Sequence, residues 1–170
     1  KEFIAGGGYM FSMCSAPDSF DVALAAKNVD ICDVMFDGDP IEPNAQQKLN
    51  YDNCLAFTDF TISTNPHEYE ISSIDATNNR NVNPENDYFK LFDYSAKWDP
   101  VPTMLTQNHE NLIKGFMGQT TAFNKEYIKP DVTIMGQNKA LNEARYIHGE
   151  FGKGFWTYLG GHDPEDYRHF

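Results

Sequence analysis

The residue best placed for covalent chemistry is Cys14. It closes the apolar run Tyr9–Met13, which follows three glycines at positions 6–8. The pattern Phe20, Val22, Ala23, Leu24, Ala26 comes next and predicts a helix, with Asp18 and Ser19 offering N-cap chemistry. The run before Cys14 predicts a buried strand. A cysteine at a strand-to-helix turn is held out of the sheet. Backbone N–H groups there can stabilise a thiolate or a developing oxyanion. The alternative is a half-buried structural thiol, because free cysteine packs as a small hydrophobe.

A second chemical feature lies near the other end, in Gly160-Gly161-His162-Asp163-Pro164-Glu165. Phe155–Leu159 predicts a strand, so His162 would follow it on a loop at the sheet edge. Asp163 and Glu165 are close enough to orient an imidazole. Cysteine, histidine and an acid are the minimum set for thiol-based acyl transfer. The plain alternative is an exposed glycine-rich loop. His67, His109, His148 and His169 lack the paired glycines and following acids, and read as surface or locally bonded residues.

The elements that must position these groups are less regular. Lys1–Ile4 reads as the last turn of a helix closed by Gly6. Asp30–Phe36 predicts an untidy strand, and Asp37-Gly38-Asp39-Pro40 a turn. That acidic turn lacks the further ligand positions of a calcium loop, so no metal site is expected. Pro43–Leu49 predicts a short helix; Leu55–Ser63, Glu68–Ile74 and Tyr88–Lys97 predict strands. The Asn-rich stretch 78–86 reads as an exposed loop, and 113–120 stays ambiguous. Asp131–Met135, Ala144–His148 and Phe155–Leu159 predict strands, the last two flanking a glycine-rich hairpin at 149–154. The expectation is one α/β domain over 1–170 with an irregular β-rich and loop-rich insertion at 37–108.

Composition bounds the partners. The 170 residues carry a net charge of −12. This argues against nucleic acid and against docking on an anionic membrane. No apolar run approaches the roughly 20 residues of a bilayer span. Cys14, Cys32 and Cys54 are odd in number and lack zinc spacing. No motif calls for a cofactor. The chain starts without Met or a signal peptide and stops without a terminating pattern, so it reads as an internal piece of a longer protein whose compartment is open.

At this point the residues carry a family resemblance. GGGYMFSMCSAPDSF (6–20) resembles the strand-turn-helix of the class I glutamine amidotransferase-like fold, where the nucleophilic cysteine occupies this turn. It is also similar to the trehalose-utilisation (ThuA-like) branch, which has histidine at the cysteine position. ARYIHGEFGKGFWTYLGGHDPEDY (144–167) is similar to the ThuA-like hairpin with its G-K-G turn and terminal G-H-D. With 100–123 and 128–149, the whole chain resembles a bacterial family labelled "asparagine synthetase B". The amino-terminal cysteine and S-G-G-x-D-S loop of familiar asparagine synthetases are absent, as is a Walker-type loop, so ATP-dependent amidation is not expected.

The resemblance implies a partial flavodoxin-like parallel sheet lacking its N-terminal strands. It implies Cys14 as nucleophile, His162 as its proton partner, and Glu165 or Asp163 as orienting acid. His162-Asp163-Pro164-Glu165 is one residue longer than the His-Pro-Glu of amidotransferases, which leaves the two acids as alternatives. The Ser15 N–H would donate to the oxyanion. The other usual donor would precede Lys1, which implies crippled catalysis by this piece alone and association with the missing N-terminal part or other subunits. The substrate would be a small-molecule carboxamide. The alternative is a non-catalytic ThuA-like module with a structural Cys14, binding a sugar-related ligand or a protein through aromatic loops such as Tyr88–Trp98 and Phe155–Tyr158.

Overall fold

The computed structural model describes residues 1–77, 83–91, 112–115 and 120–161. His162, Asp163, Glu165, His109, His169 and the Trp98 end of the aromatic stretch lie outside them. The chain is α/β, with more strand than helix. In order run α1 (Glu2–Ala5), β1 (Tyr9–Met13), α2 (Ala16–Ala25), α3 (Val34–Asp37) and α4 (Ala45–Lys48). Strands β2 (Tyr88–Leu91), β3 (Leu112–Lys114), β4 (Phe123–Asn124), β5 (Thr133–Asn138), β6 (Glu143–Phe151) and β7 (Gly154–Leu159) follow. They form one mixed sheet in the order β1-β7-β6-β5-β2-β3, with β4 also paired to β6.

The β1–β7 pair is parallel, in the register Tyr9↔Phe155 to Met13↔Leu159. The other described pairings are antiparallel. The sheet is therefore mixed, not the parallel sheet expected; short turns return the chain antiparallel from β5 to β6 and from β6 to β7. The β6–β7 hairpin turns at Gly152-Lys153, with Gly152 at φ 65°. Gly149, expected in that turn, lies inside β6 opposite Trp156. Its missing side chain leaves room for the indole, because a Cβ there would come within 2.4 Å of the ring.

The core packs α2 and the irregular segment 54–74 against the sheet around Phe57, Phe60, Ile74, Phe123, Ile147, Trp156 and Tyr158. Trp156 and Tyr158 are 1% and 0% exposed, so the Phe155–Tyr158 stretch is a core strand and not an aromatic binding loop. Arg145 on β6 is wholly buried and donates to both carboxylate oxygens of Asp87 at 2.5 Å. It also donates to the Thr121 carbonyl at 2.8 Å and lies beside Glu143. This charged cluster ties the lead-in to β2 to the chain just before β4.

Three expected elements come out differently. The Asp30–Phe36 stretch is not a strand: the Asp33 carboxylate accepts from the Met35 N–H at 2.9 Å, caps α3, and leaves Val34, Met35 and Phe36 exposed. Gly38 at φ 93° then makes the expected turn. Leu55–Ser63 forms only isolated bridges, Phe57 to Ile128 and Ile62 to Ser72. Glu68–Ile74 likewise forms no named strand. In the first of these, the N–H groups of Leu55, Ala56 and Phe57 are taken by Asp21 at 3.0, 2.8 and 2.9 Å, and Asp59 breaks the backbone at φ 57°.

Asp21 is fully buried on α2 and also receives the Tyr158 hydroxyl at 3.4 Å. Burial pushes its carboxyl up, while the three N–H donors and Lys129 pull against that rise. Asp21→Ala would strand those donors in the core. Each buried unmet donor costs roughly 1–3 kcal/mol. We expect a loss of about 3 kcal/mol or more by urea denaturation; a loss under about 1 kcal/mol would show that water replaces the carboxylate.

Candidate functional site

The C-terminal ends of β1 and β7 lie side by side because the two strands are parallel neighbours. In open α/β sheets this end is where ligands bind. Cys14 leaves β1 there and is half-buried. Its backbone sits at φ 62°, in the left-handed region that costs an L-residue roughly 1–2 kcal/mol. Its N–H donates to the Gly161 carbonyl at 2.8 Å. The residue that starts the candidate nucleophile turn is thus bonded to the residue that precedes His162 in the chain.

The Gly161 side is equally constrained. Gly161 has φ 95°, and its N–H donates to the Thr120 carbonyl at 3.0 Å. Thr120 itself has φ 50°, which is unusual for a β-branched residue. Gly160 passes so close to the neighbouring chain that a Cβ would come 2.6 Å from the Thr121 carbonyl oxygen. Left-handed non-glycine residues persist only where the surroundings enforce them, and they gather at functional sites.

Helix α2 begins earlier than expected. Ser15 occupies the N-cap position without a side-chain cap, its carbonyl accepting from the Ser19 N–H at 3.0 Å. Pro17 suits the first turn. Asp18 is therefore not a cap; it points inward and is 1% exposed. One of its oxygens accepts from the Ser72 hydroxyl at 3.2 Å, and the other, Oδ1, has no hydrogen-bond partner among the described residues. Burial first, and the Asp75 charge second, push its carboxyl up to about 7. Sequence reasoning missed this buried acid because Asp near a helix start is ordinarily a cap.

The remaining thiols differ from Cys14. Cys54 is buried, donates to the Asp21 carbonyl at 3.3 Å, and is pushed up to about 12, mainly by burial. Cys32 is pushed up by partial desolvation and then by Asp37 and Asp30. All three cysteines are free. Among the other histidines, His148 is buried on β6, bonded through Nδ1 to Thr157 Oγ1 at 2.9 Å, and lowered by burial. His67 is exposed. Asp30, Asp37 and Asp39 bring carboxylate oxygens within 4.8 Å of one another, in an open turn of a kind common without a cation. No helix among the described residues is long and apolar enough to cross a membrane.

Comparison of the chain with protein-family models, curated proteins and solved structures returned no match.

Two outcomes follow from this geometry. Cys14→Gly removes the left-handed strain that Cys14→Ala retains, so the glycine variant should be the more stable by about 1 kcal/mol. Equal stability would mean that the turn relaxes when the thiol is lost. The raised Asp18 carboxyl binds its proton more tightly in the folded state than in the unfolded one. Its contribution is full below the ordinary carboxylate range and is lost as pH rises through about 7. The stability of Asp18→Asn relative to wild type should therefore climb between about pH 4 and pH 7, by up to ~1.4 kcal/mol per pH unit, and level off above that. A parallel pair of curves would contradict the assignment.

Proposed function

We propose that this chain is a thiol hydrolase acting on a carboxamide, on a partial class I glutamine amidotransferase-like, flavodoxin-like fold. The observation that carries the reading is the backbone of Cys14: a non-glycine residue at φ 62° between a strand and a helix, bonded to Gly161. This setting lifts a nucleophile clear of the sheet beside a helix N-terminus. The ThuA-like and amidotransferase-like resemblance of segments 6–20 and 144–167 supports the same reading.

In this mechanism His162 takes the Cys14 proton, and the thiolate attacks the amide carbon. The oxygen of the tetrahedral intermediate accepts from the Ser15 N–H. As the carbon–nitrogen bond breaks, His162 returns the proton to the departing ammonia. Water, deprotonated by His162, then cleaves the thioester and frees the carboxylic acid and the Cys14 thiol. Glu165 or Asp163 orients the imidazole. No cofactor takes part.

One feature favours a second reading, a non-catalytic ThuA-like module. An open groove of about 470 Å³ lies between β2, β3 and β5, lined by Tyr88, Lys90, Leu112, Gln137, Asn138 and others. One exposed aromatic ring among amide and ammonium groups suits a polyhydroxylated ligand such as a sugar. In this reading Cys14 is structural and Tyr88→Ala abolishes binding.

A carboxamide-analogue electrophile separates the two. The hydrolase reading expects mass-spectrometric labelling at Cys14 ahead of Cys32, none at Cys54, and at least a tenfold slower reaction in His162→Ala, the scale of a lost proton partner. Equal labelling of Cys14 and Cys32, unchanged in His162→Ala, would leave Cys14 an ordinary thiol and favour the sugar-binding reading.

A further inference from the structure

The Thr121 carbonyl is the point where the chain before β4 meets β6 and the end of β7. From β6, Arg145 donates to it through Nη1 at 2.8 Å. From the end of β7, Gly160 passes so close that a Cβ would come 2.6 Å from the same oxygen. A side chain at position 160 would therefore collide with the group that Arg145 holds. Arg145 grips the end of β7 a second time, because its own carbonyl accepts from the Gly160 N–H at 2.7 Å. On its other side the Thr121 N–H donates to Thr77 Oγ1 at 2.9 Å.

The next residue along each of these chains is left-handed: Thr120 at φ 50° adjoins Thr121, and Gly161 at φ 95° adjoins Gly160. The Gly161 N–H donates to the Thr120 carbonyl at 3.0 Å, and the Gly161 carbonyl accepts from the Cys14 N–H at 2.8 Å. Both chains that meet at the Gly161–Thr120 bond are thus tied to Arg145 one residue away. The guanidinium is itself fixed. It is wholly buried, and its Nη2 donates to both carboxylate oxygens of Asp87 at 2.5 Å, which leaves Nη1 for Thr121. Asp87 is anchored in turn, its carbonyl accepting from the Gly115 N–H at 2.6 Å. A guanidinium is a planar fork whose donors point in set directions, whereas an ammonium is a point charge on a flexible stem.

We propose that Arg145 is a positioning residue for the Cys14 turn. Its guanidinium sets the Thr120–Thr121 chain, its carbonyl sets Gly160, and the two together hold Gly161 where its carbonyl receives the Cys14 N–H. Arg145 acts through Thr120 and Gly161 and not on the thiol. Asp87 orients the guanidinium, and the bare Gly160 leaves the space that the Thr121 carbonyl needs. The consequence for catalysis rests on the hydrolase reading, but the positioning of the Cys14 backbone does not.

The test is amide hydrogen exchange followed by NMR in wild type, Arg145→Lys and Gly160→Ala. The Leu55, Ala56 and Phe57 amides, held by Asp21, report opening of the core. In Arg145→Lys the Cys14 and Gly161 amides should exchange at least about tenfold faster, beyond any change at those three, the scale of one lost charge-assisted hydrogen bond. Gly160→Ala should single out the same two amides by pushing the Thr121 carbonyl away. Asp87→Asn, which takes the ionised partner from the guanidinium, carries the test if Arg145→Lys does not fold. Electrophile labelling of Cys14 should slow in the same variants, by up to roughly 100-fold, the scale of an ångström of misplacement. Exchange that rises equally at the core amides would make Arg145 a support of the whole core, and unchanged Cys14 and Gly161 amides would mean that the turn holds itself; either result overturns the proposal. Unchanged amides in a working hydrolase sink the role of Arg145 alone. A selective loss of protection in a protein with no Cys14-dependent hydrolysis sinks the catalytic reading and leaves the positioning role standing.

Discussion

The interaction on which most of the described structure depends is the buried carboxylate of Asp21. It collects the N–H groups of Leu55, Ala56 and Phe57 and the hydroxyl of Tyr158. Those partners come from an irregular segment and from β7, while Asp21 itself belongs to α2. One side chain therefore joins helix, irregular segment and sheet where no regular ladder could. Backbone groups buried without a ladder must find partners, and a carboxylate is an acceptor strong enough to serve several. Lys129 reinforces the joint by donating to the Cys54 carbonyl at 2.8 Å. The position of α2, and hence of the Cys14 turn before it, follows from this anchor.

The sheet supplies the rest of the site's geometry. The parallel pairing of β1 with β7 brings Cys14 and Gly161 to one edge. Arg145 steadies that edge from behind: its carbonyl accepts from the Gly160 N–H at 2.7 Å and its guanidinium from β6 reaches the Thr121 carbonyl. Left-handed residues at Cys14, Thr120 and Gly161 then meet in one hydrogen-bonded run. The left-handed backbone is costly at Cys14 and Thr120, whereas Gly161 adopts its positive φ freely.

Regular elements were readable from the residues. Tyr9–Met13 is β1 and Phe155–Leu159 falls within β7, because apolar runs bounded by glycines leave little choice; but β1 stands at the end of the described sheet with Tyr9 and Phe11 exposed, not as the buried strand expected. The turn at Asp37–Pro40 was equally plain. The irregular middle was not. Leu55–Ser63 alternates as a strand should, yet its N–H groups answer to a carboxylate over 30 residues earlier, a pairing that no local pattern reveals. Asp33 and Asp18 show the opposite pitfall: the first caps a helix where a strand was expected, and the second is buried where a cap was expected. Placement of Cys14 at a strand-to-helix turn was legible; its left-handed backbone and the buried acids behind it were not, since both arise from tertiary packing.

The central claim concerns the thiol of Cys14 and its proton partner. The most direct test is a crystal structure of the chain that measures the distance from Cys14 Sγ to the nearer ring nitrogen of His162. The account predicts hydrogen-bond reach, or a gap closed by one rotamer change of either side chain. A separation of more than about 8 Å, beyond direct proton transfer, would contradict it.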